Sequence, residues 1–268
     1  MDLVLFAFGA AVGSFVNVLA LRYDPDRFLF ERRVLGGRSR CPKCGKTLQW
    51  FELVPVVSFL LQGGRCRTCT GPVSPQYLVG EVICGLIFVL VAARPAGGAF
   101  FPWYDAEPIA AAFWIAVFVV LFLITSIDLR TMIIPDELNI VLGALGFFIG
   151  GMSEQLFTHL VSGIAAAAAF MLLVLVTRGR GMGIGDVKFA GALGLIFGWP
   201  ATAIVLAGGF IIGAVYGVLA LLARTKTLAS AVPFAPFLAL AAFIVFLWGD
   251  ALHETTFFTA GRLLGWFL

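Results

Sequence analysis

Charge is what this sequence lacks. Of its 268 residues only 12% are Asp, Glu, Lys or Arg, about half the roughly 25% of an average soluble protein. Apolar residues reach 61%, and the mean hydropathy is +1.02. A water-soluble globule of this size needs far more polar cover, so that class is excluded. Disorder is excluded as well, because it requires low hydrophobicity and high charge. A net charge of +3 is too small for a protein that neutralises a phosphate backbone, so nucleic acid is not expected as a partner. The sequence also lacks long internal repeats and low-complexity linkers. Its first apolar run lacks a basic preceding region and a small-residue cleavage site, so it reads as a retained helix and not a removable signal. What remains is a polytopic membrane protein.

Helical crossing of a ~30 Å hydrocarbon core takes about 17–25 apolar residues. Such runs occur at about 3–21, 76–93, 109–127, 138–152, 160–177, 187–199, 201–223 and 231–248. The fourth and sixth are short, and the break at Trp199-Pro200 is the least secure. Eight spans in alternation place the basic residues unevenly. Arg22, Arg27, Arg32, Arg33, Arg38, Arg40, Lys43, Lys46, Arg65 and Arg67 lie between the first two spans. Arg130, Arg178, Arg180, Lys188, Arg224 and Lys226 fall on that same side, and only Arg94 and Arg262 fall opposite. This asymmetry sets the rich side as cytoplasmic and both termini outside. The opposite loops carry acids instead, Asp105, Glu107, Glu154, Asp250 and Glu254 among them. The expected organisation is a first transmembrane helix at 1–21, a cytoplasmic domain at 22–75, a membrane core at 76–249 and a tail at 250–268.

Four of the five cysteines form two pairs, Cys41-Pro-Lys-Cys44 and Cys66-Arg-Thr-Cys69, separated by 21 residues. Two such knuckles supply the four thiolates of a tetrahedral zinc site, and four thiolates leave no open position for catalysis. A redox pair or unrelated free thiols are the alternatives. A cytoplasmic placement argues against stable disulfides. Gly45 and Gly71, just after the pairs, suit the tight turns. Between the pairs, Leu48 to Leu61 is apolar but too short to span. Its Trp50 and Phe51 suit the headgroup layer, the alternative being a packed core segment of the module. Cys84, inside the second span, reads as a packing residue, and His159 as an interfacial one.

Acids beside apolar spans are costly and need a reason. Those are Glu81, Asp128, Asp136, Glu137 and Asp186. Asp128 ends the third span, and Asp186 opens the sixth in Gly183-Ile-Gly185-Asp186-Val-Lys188. Both stand at the cytoplasmic ends of their helices. Two carboxyls at one depth suit acid–base hydrolysis, one carboxylate activating water while the other, protonated, polarises the scissile carbonyl. Gly183 and Gly185 leave room for an extended peptide backbone. The competing readings are helix capping by Asp186 or Asp136, and ion pairing of Asp128 with Arg130 or Lys188.

These motifs resemble, in order, those of the type IV prepilin leader peptidases, bifunctional inner-membrane enzymes of bacterial pilus and type II secretion systems. The resemblance runs through Gly13-Ser-Phe-Val-Asn17, the cysteine loop with Trp50 to Ser58, and Ser74-Pro-Gln-Tyr77 with Glu81. It continues in Ile127-Asp128, Ile134-Pro135-Asp136, Gly183 to Lys188, and Val232-Pro233-Phe234-Ala235-Pro236-Phe237. A glycine is expected where Ala235 stands. The resemblance implies an all-α polytopic fold of about eight transmembrane helices, with a small zinc-ribbon-like cytoplasmic domain between helices 1 and 2. It implies that Asp128 and Asp186 are catalytic, with Asp136, Gly183, Gly185 and Lys188 in support. It implies cleavage of prepilins or pseudopilins after a short basic leader at the cytoplasmic membrane face. N-methylation of the new terminus from S-adenosylmethionine is implied to follow. No Gly-rich dinucleotide fingerprint is present, so the donor site is expected to be built from the 22–75 loop and Glu81, the alternative for Glu81 being an interfacial carboxylate that pairs a loop arginine. Attraction of the basic leader is expected to fall to acids such as Asp136 and Glu137. The reading from a different class is a non-enzymatic, zinc-containing membrane scaffold.

Overall fold

The structure is a computed structural model that describes residues 1–94, 108–179, 181–225 and 231–264, the side chains of 32, 33 and 251–264 excepted. Asp105, Glu107, Arg180 and Lys226 lie outside the described residues, as do the side chains of Arg32, Arg33, Glu254 and Arg262. Among the described residues the regular structure is helical: α1 (Asp2–Arg22), α2 (Arg32–Leu35), α3 (Val57–Leu61), α4 (Pro75–Ala92), α5 (Pro108–Thr131), α6 (Asp136–Met152), α7 (Leu156–Thr177), α8 (Ile184–Phe197), α9 (Ala201–Leu222) and α10 (Ala235–Leu264). Each of the eight expected spans coincides with one helix of at least 14 residues. The break at Trp199-Pro200 is real, since α8 ends at Phe197 and α9 starts at Ala201.

Five helices, α1, α4, α5, α7 and α9, are long and apolar enough to cross a membrane, and Ala235–Asp250 forms a shorter apolar stretch of α10. The other two fall short. α8 has only 14 residues, about 21 Å of rise, less than the ~30 Å hydrocarbon core. The expected tail at 250–268 is instead helical to Leu264, a continuation of α10.

The chain forms two compact units, Met1–Ala93 and Arg94–Leu268. The division follows α4, whereas the sequence reading drew its boundary at residue 75. In the first unit α1 and α4 touch backbone to backbone. A Cβ on Gly13 would stand 2.7 Å from the Gly80 carbonyl oxygen, and one on Gly9 2.7 Å from that of Cys84. Lipid tails are as apolar as the side chains, so close approach and polar cross-links hold such helices together. One cross-link is the Asn17 amide, which donates to the Tyr77 carbonyl at 3.1 Å. At the end of α1, Arg22 donates to the carbonyls of Val34, Gly36 and Gly37, which gathers the following loop.

In the second unit the same device joins α7 to α8 and α6 to α8. A Cβ on Gly194 would meet the Ser162 carbonyl oxygen at 2.6 Å, and one on Gly146 the backbone carbon of Leu195 at 2.8 Å. Aromatic packing fills the rest. Trp114 of α5 is fully buried and lies 4.5 Å from Phe246 and 5.4 Å from Phe197, ring centre to ring centre. His159, in the first turn of α7, is packed inward: it is 5% exposed, and its Nδ1 stands 2.8 Å from the Leu195 carbonyl oxygen. α7 begins at Leu156, earlier than expected, and so carries His159 into the packing. Arg94 is likewise internal. Its Nε donates to the Phe246 carbonyl at 2.7 Å, and it pairs with Asp250 at 3.1 Å.

Candidate functional site

In the second unit, the chemistry gathers where α5 ends and α8 and α10 begin. α5 stops because Met132 turns left-handed (φ 55°) and its amide closes the last turn onto the Asp128 carbonyl at 2.9 Å. Pro135 then blocks helical continuation, and α6 starts at Asp136. Asp128 is 4% exposed. Its Oδ2 accepts from the Ala235 amide at 3.2 Å, at the first residue of α10. A carboxylate at a helix N-terminus satisfies an orphan donor and meets the positive end of the helix dipole. Ala235, where a glycine was expected, is fully buried.

Asp186 is half-buried in the first turn of α8, and its Oδ2 accepts from the Gly183 amide at 3.0 Å. The capping reading of Asp186 therefore holds, and it does not exclude chemistry: Asp128 and Asp186 lie within electrostatic reach of each other. Gly185 sits against Ile134, where a Cβ would stand 3.4 Å from the Ile134 Cβ. That contact lays the Gly183–Asp186 turn on the Ile134-Pro135-Asp136 motif. Lys188 does not pair with Asp128. Its ammonium grips both oxygens of Asp136 at 2.7 and 2.8 Å, tying the first turn of α6 to that of α8. Asp136 is thus paired with a cation at a half-exposed site.

Sequence reading passed over Asn139. It is 7% exposed, and neither polar atom of its side chain has a partner among the described residues. An amide on the buried face of a membrane helix was the signal that marked it.

In the first unit the two cysteine knuckles repeat one geometry. Single bridges Arg40–Thr47 and Arg65–Pro72 flank them. The Cys41 and Cys66 amides donate at 2.9 Å to Lys46 and Gly71 carbonyls. Left-handed residues follow the second cysteine of each pair, Gly45 (φ 71°) and Thr70 (φ 54°). Gly71, expected to supply that turn, does not. A Cβ there would meet the Lys43 Cδ at 2.6 Å and the Cys69 Sγ at 3.3 Å, so an added side chain would move the lysine aside.

The ligating atoms of Cys41, Cys44, Cys66 and Cys69 all lie within 4.8 Å of one another, with Cys41 and Cys69 sulfurs 3.8 Å apart. Zn–S bonds of ~2.3 Å set tetrahedral S···S edges near 3.8 Å, so the four thiols fit a tetrahedral metal ion. The Cys44 and Lys43 amides pull the Cys41 thiol down to about 6, and the Cys69 and Thr68 amides lower Cys66. At Cys69 the Gly71 amide also pulls down, but burial and the three neighbouring thiols outweigh it and push it up to about 11. Four crowded sulfurs cannot all ionise without a cation among them.

Beside this cluster is a cavity of about 230 Å³, lined by Tyr77, Phe59, Leu48, Glu52 and Glu81 and bordered by Cys41 and Cys66. That is just under the ~300–1,000 Å³ of small-molecule sites. Glu52 is held below the usual carboxylate range by the Gln49 amide, then by Lys46 and Arg67. Glu81 is 6% exposed. It accepts from the Val56 amide at 2.7 Å and hydrogen-bonds with Ser14.

Comparison with known proteins follows the same division. Residues 7–94 match the bacterial peptidase A24 N-terminal domain, and 115–218 the type IV leader peptidase family. A prepilin leader peptidase/N-methyltransferase of Aeromonas hydrophila is 32% identical, covering 93% of this chain and 91% of the relative. The chain belongs to the type IV leader peptidase family. Proteins of the same name from Bacillus subtilis and Pseudomonas aeruginosa are 30% and 28% identical, over 93% and 94% of this chain and 95% and 92% of theirs. No solved structure matches the chain. In this family member Asp128, Asp186, Asp136, Gly183, Gly185 and Lys188 all fall within the matched 115–218 segment, and the four cysteines and Glu81 within 7–94.

Proposed function

We propose that this protein is a membrane-embedded aspartic endopeptidase that removes the basic leader of type IV prepilins or pseudopilins and N-methylates the new terminus. The observation that carries the peptidase reading is that Asp128 and Asp186 are each anchored by a backbone amide at a helix start, with Gly185 beside Asp186 packed on Ile134 of the loop that follows α5. One carboxylate takes a proton from water, and the resulting hydroxide attacks the scissile carbonyl. The other, protonated, donates to the carbonyl oxygen; the C–N bond then breaks and the departing amine takes up a proton. Gly183 and Gly185 leave space for the extended substrate backbone, and Lys188 with Asp136 holds the two turns together. Asp128→Asn and Asp186→Asn, made separately, are each expected to abolish cleavage of a purified prepilin while the protein still inserts. Cleavage retained by either variant defeats the assignment.

In this reading the function divides between the two units: Met1–Ala93 carries the four-cysteine domain over 22–75 and the donor cavity, and the peptidase aspartates lie in the part of the 76–249 membrane core that belongs to Arg94–Leu268. The cysteine cluster holds structural zinc, whose four thiolates leave no vacancy for catalysis. S-adenosylmethionine binds in the cavity beside it. Phe59 and Tyr77 give the donor aromatic surface, and Glu81 is a buried carboxylate on the wall. When bound, the donor supplies a methyl group to the amine of the trimmed pilin. The positive-inside asymmetry supports a cytoplasmic side for the cysteine domain and for both aspartates, at the bacterial inner membrane. Trp50, Leu60 and Leu61, 77%, 63% and 76% exposed, suit the headgroup layer there.

A further inference from the structure

The turn at Val56 is the least ordinary backbone in the first unit. Val56 has φ 63° and ψ −55°, and the Val57 amide donates to the Pro55 carbonyl at 2.6 Å. Those values and that i→i+2 bond define a γ-turn of the rare, strained hand. Its central residue is β-branched, for which a left-handed φ is a genuine outlier. Strain of this kind persists only where the surroundings over-determine it.

The surroundings here are Glu81. Its Oε2 accepts from the Val56 amide at 2.7 Å, from a side chain 6% exposed. Ser14 of α1 completes the same carboxylate. One acid on α4 thus gathers α1, α4 and the loop between the cysteine knuckles. Leu53 and Ser58, which bracket the turn, both line the cavity, as do Ser14 and Glu81.

We infer that Glu81 is a positioning residue for methyl transfer, which clasps the Val56 amide and forces the γ-turn that shapes the donor cavity. This rests on the methyl-donor reading of that cavity, and it assigns Glu81 a different part from direct contact with the donor's positive charge. Glu81 holds the Val56 amide and Ser14, and the rare backbone stands where that amide is held.

The two roles separate experimentally through rescue. Glutamine keeps an acceptor oxygen and loses the charge, whereas alanine loses both. Glycine at Val56 has no Cβ and adopts the turn without strain. The measurements are equilibrium binding of radiolabelled S-adenosylmethionine to full-length protein in detergent, and hydrogen exchange of the Val56 amide. Glu81→Ala is expected to weaken donor binding about tenfold or more, the equivalent of releasing one strained residue, and to speed exchange at Val56. Glu81→Gln is expected to bind within about threefold of wild type and to keep the amide protected. Adding Val56→Gly to Glu81→Ala is expected to restore binding to within about threefold of wild type. Leader cleavage by all of these proteins is expected to match wild type, which shows that each is folded. If Glu81→Gln binds as poorly as Glu81→Ala and Val56→Gly gives no rescue, Glu81 contacts the donor and the inference is wrong. If wild type itself binds no donor, the methyl-donor reading fails instead. In that event the exchange rates alone decide the clasp: an amide equally protected in Glu81→Ala overturns it.

Discussion

Both units anchor a buried acid on a backbone amide, but the amides differ in kind. In the second unit the donors are helix starts: Ala235 opens α10 above Asp128, and Gly183 precedes α8 above Asp186. The helices fix those amides, and close glycine contacts fix the helices. In the first unit the donor is Val56, in a strained turn of an irregular loop. The loop has few helical residues, and its frame is the cysteine cluster. Acids on packed helices are positioned by the membrane fold itself. Glu81 also stands on a packed helix, α4, but the amide it holds lies in a strained turn of the loop between the cysteine knuckles. The two chemistries are therefore expected to fail under different insults.

The largest effect that would sharpen this contrast concerns Asp128 and Asp186. Each Asp→Asn variant is expected to lose about 10²–10⁴-fold in cleavage, yet to methylate a pre-trimmed pilin peptide at the wild-type rate. Loss of methylation in both variants would break the contrast.

Metal removal comes next. A chelator that strips the four-cysteine site, or Cys66→Ser, is expected to abolish donor binding because Cys41 and Cys66 border the cavity. Cleavage is expected to change by no more than a few-fold, since structural zinc energy belongs to the module it folds. Parallel loss of both activities on titrating out the metal would show that the units are not independent.

Glycine contacts give a smaller, mirrored pair. Gly194→Ala places a Cβ 2.6 Å from the backbone of α7, and Gly13→Ala places one 2.7 Å from that of α4. Overpacking of this sort costs about 1–3 kcal/mol. Thermal inactivation curves are expected to show Gly194→Ala lowering the midpoint for cleavage and Gly13→Ala that for methylation. The smallest effect belongs to Lys188→Met. The Asp136 pair is half-exposed, and such pairs are worth about 0–1 kcal/mol. Cleavage is expected to fall only a few-fold.

The helices were legible because lipid imposes a crude rule, a long apolar run, that survives error in any single residue. Asp128, Asp186 and the four cysteines were legible because charge and paired thiols are rare in such a chain. What the sequence could not show were backbone events. The strain at Val56 leaves no residue signature, since valine is the wrong residue for that turn. Thr70 takes the left-handed position where Gly71 looked suited. Helix extents also slipped, at the early start of α7 that buries His159 and the long run of α10 past residue 250. Side-chain pairing was the third blind spot. Lys188 chose Asp136 over Asp128, and Arg94 found Asp250, choices set by tertiary placement.

The central claim is that cleavage belongs to the two aspartates and methyl transfer to the metal-framed unit. The direct measurement is the N-terminal mass of a prepilin after incubation with S-adenosylmethionine and the purified Cys66→Ser protein. The account predicts a product that has lost its leader and gained no methyl group, beside a wild-type product that shows both changes. A methylated product from Cys66→Ser, or an uncut prepilin, would contradict it.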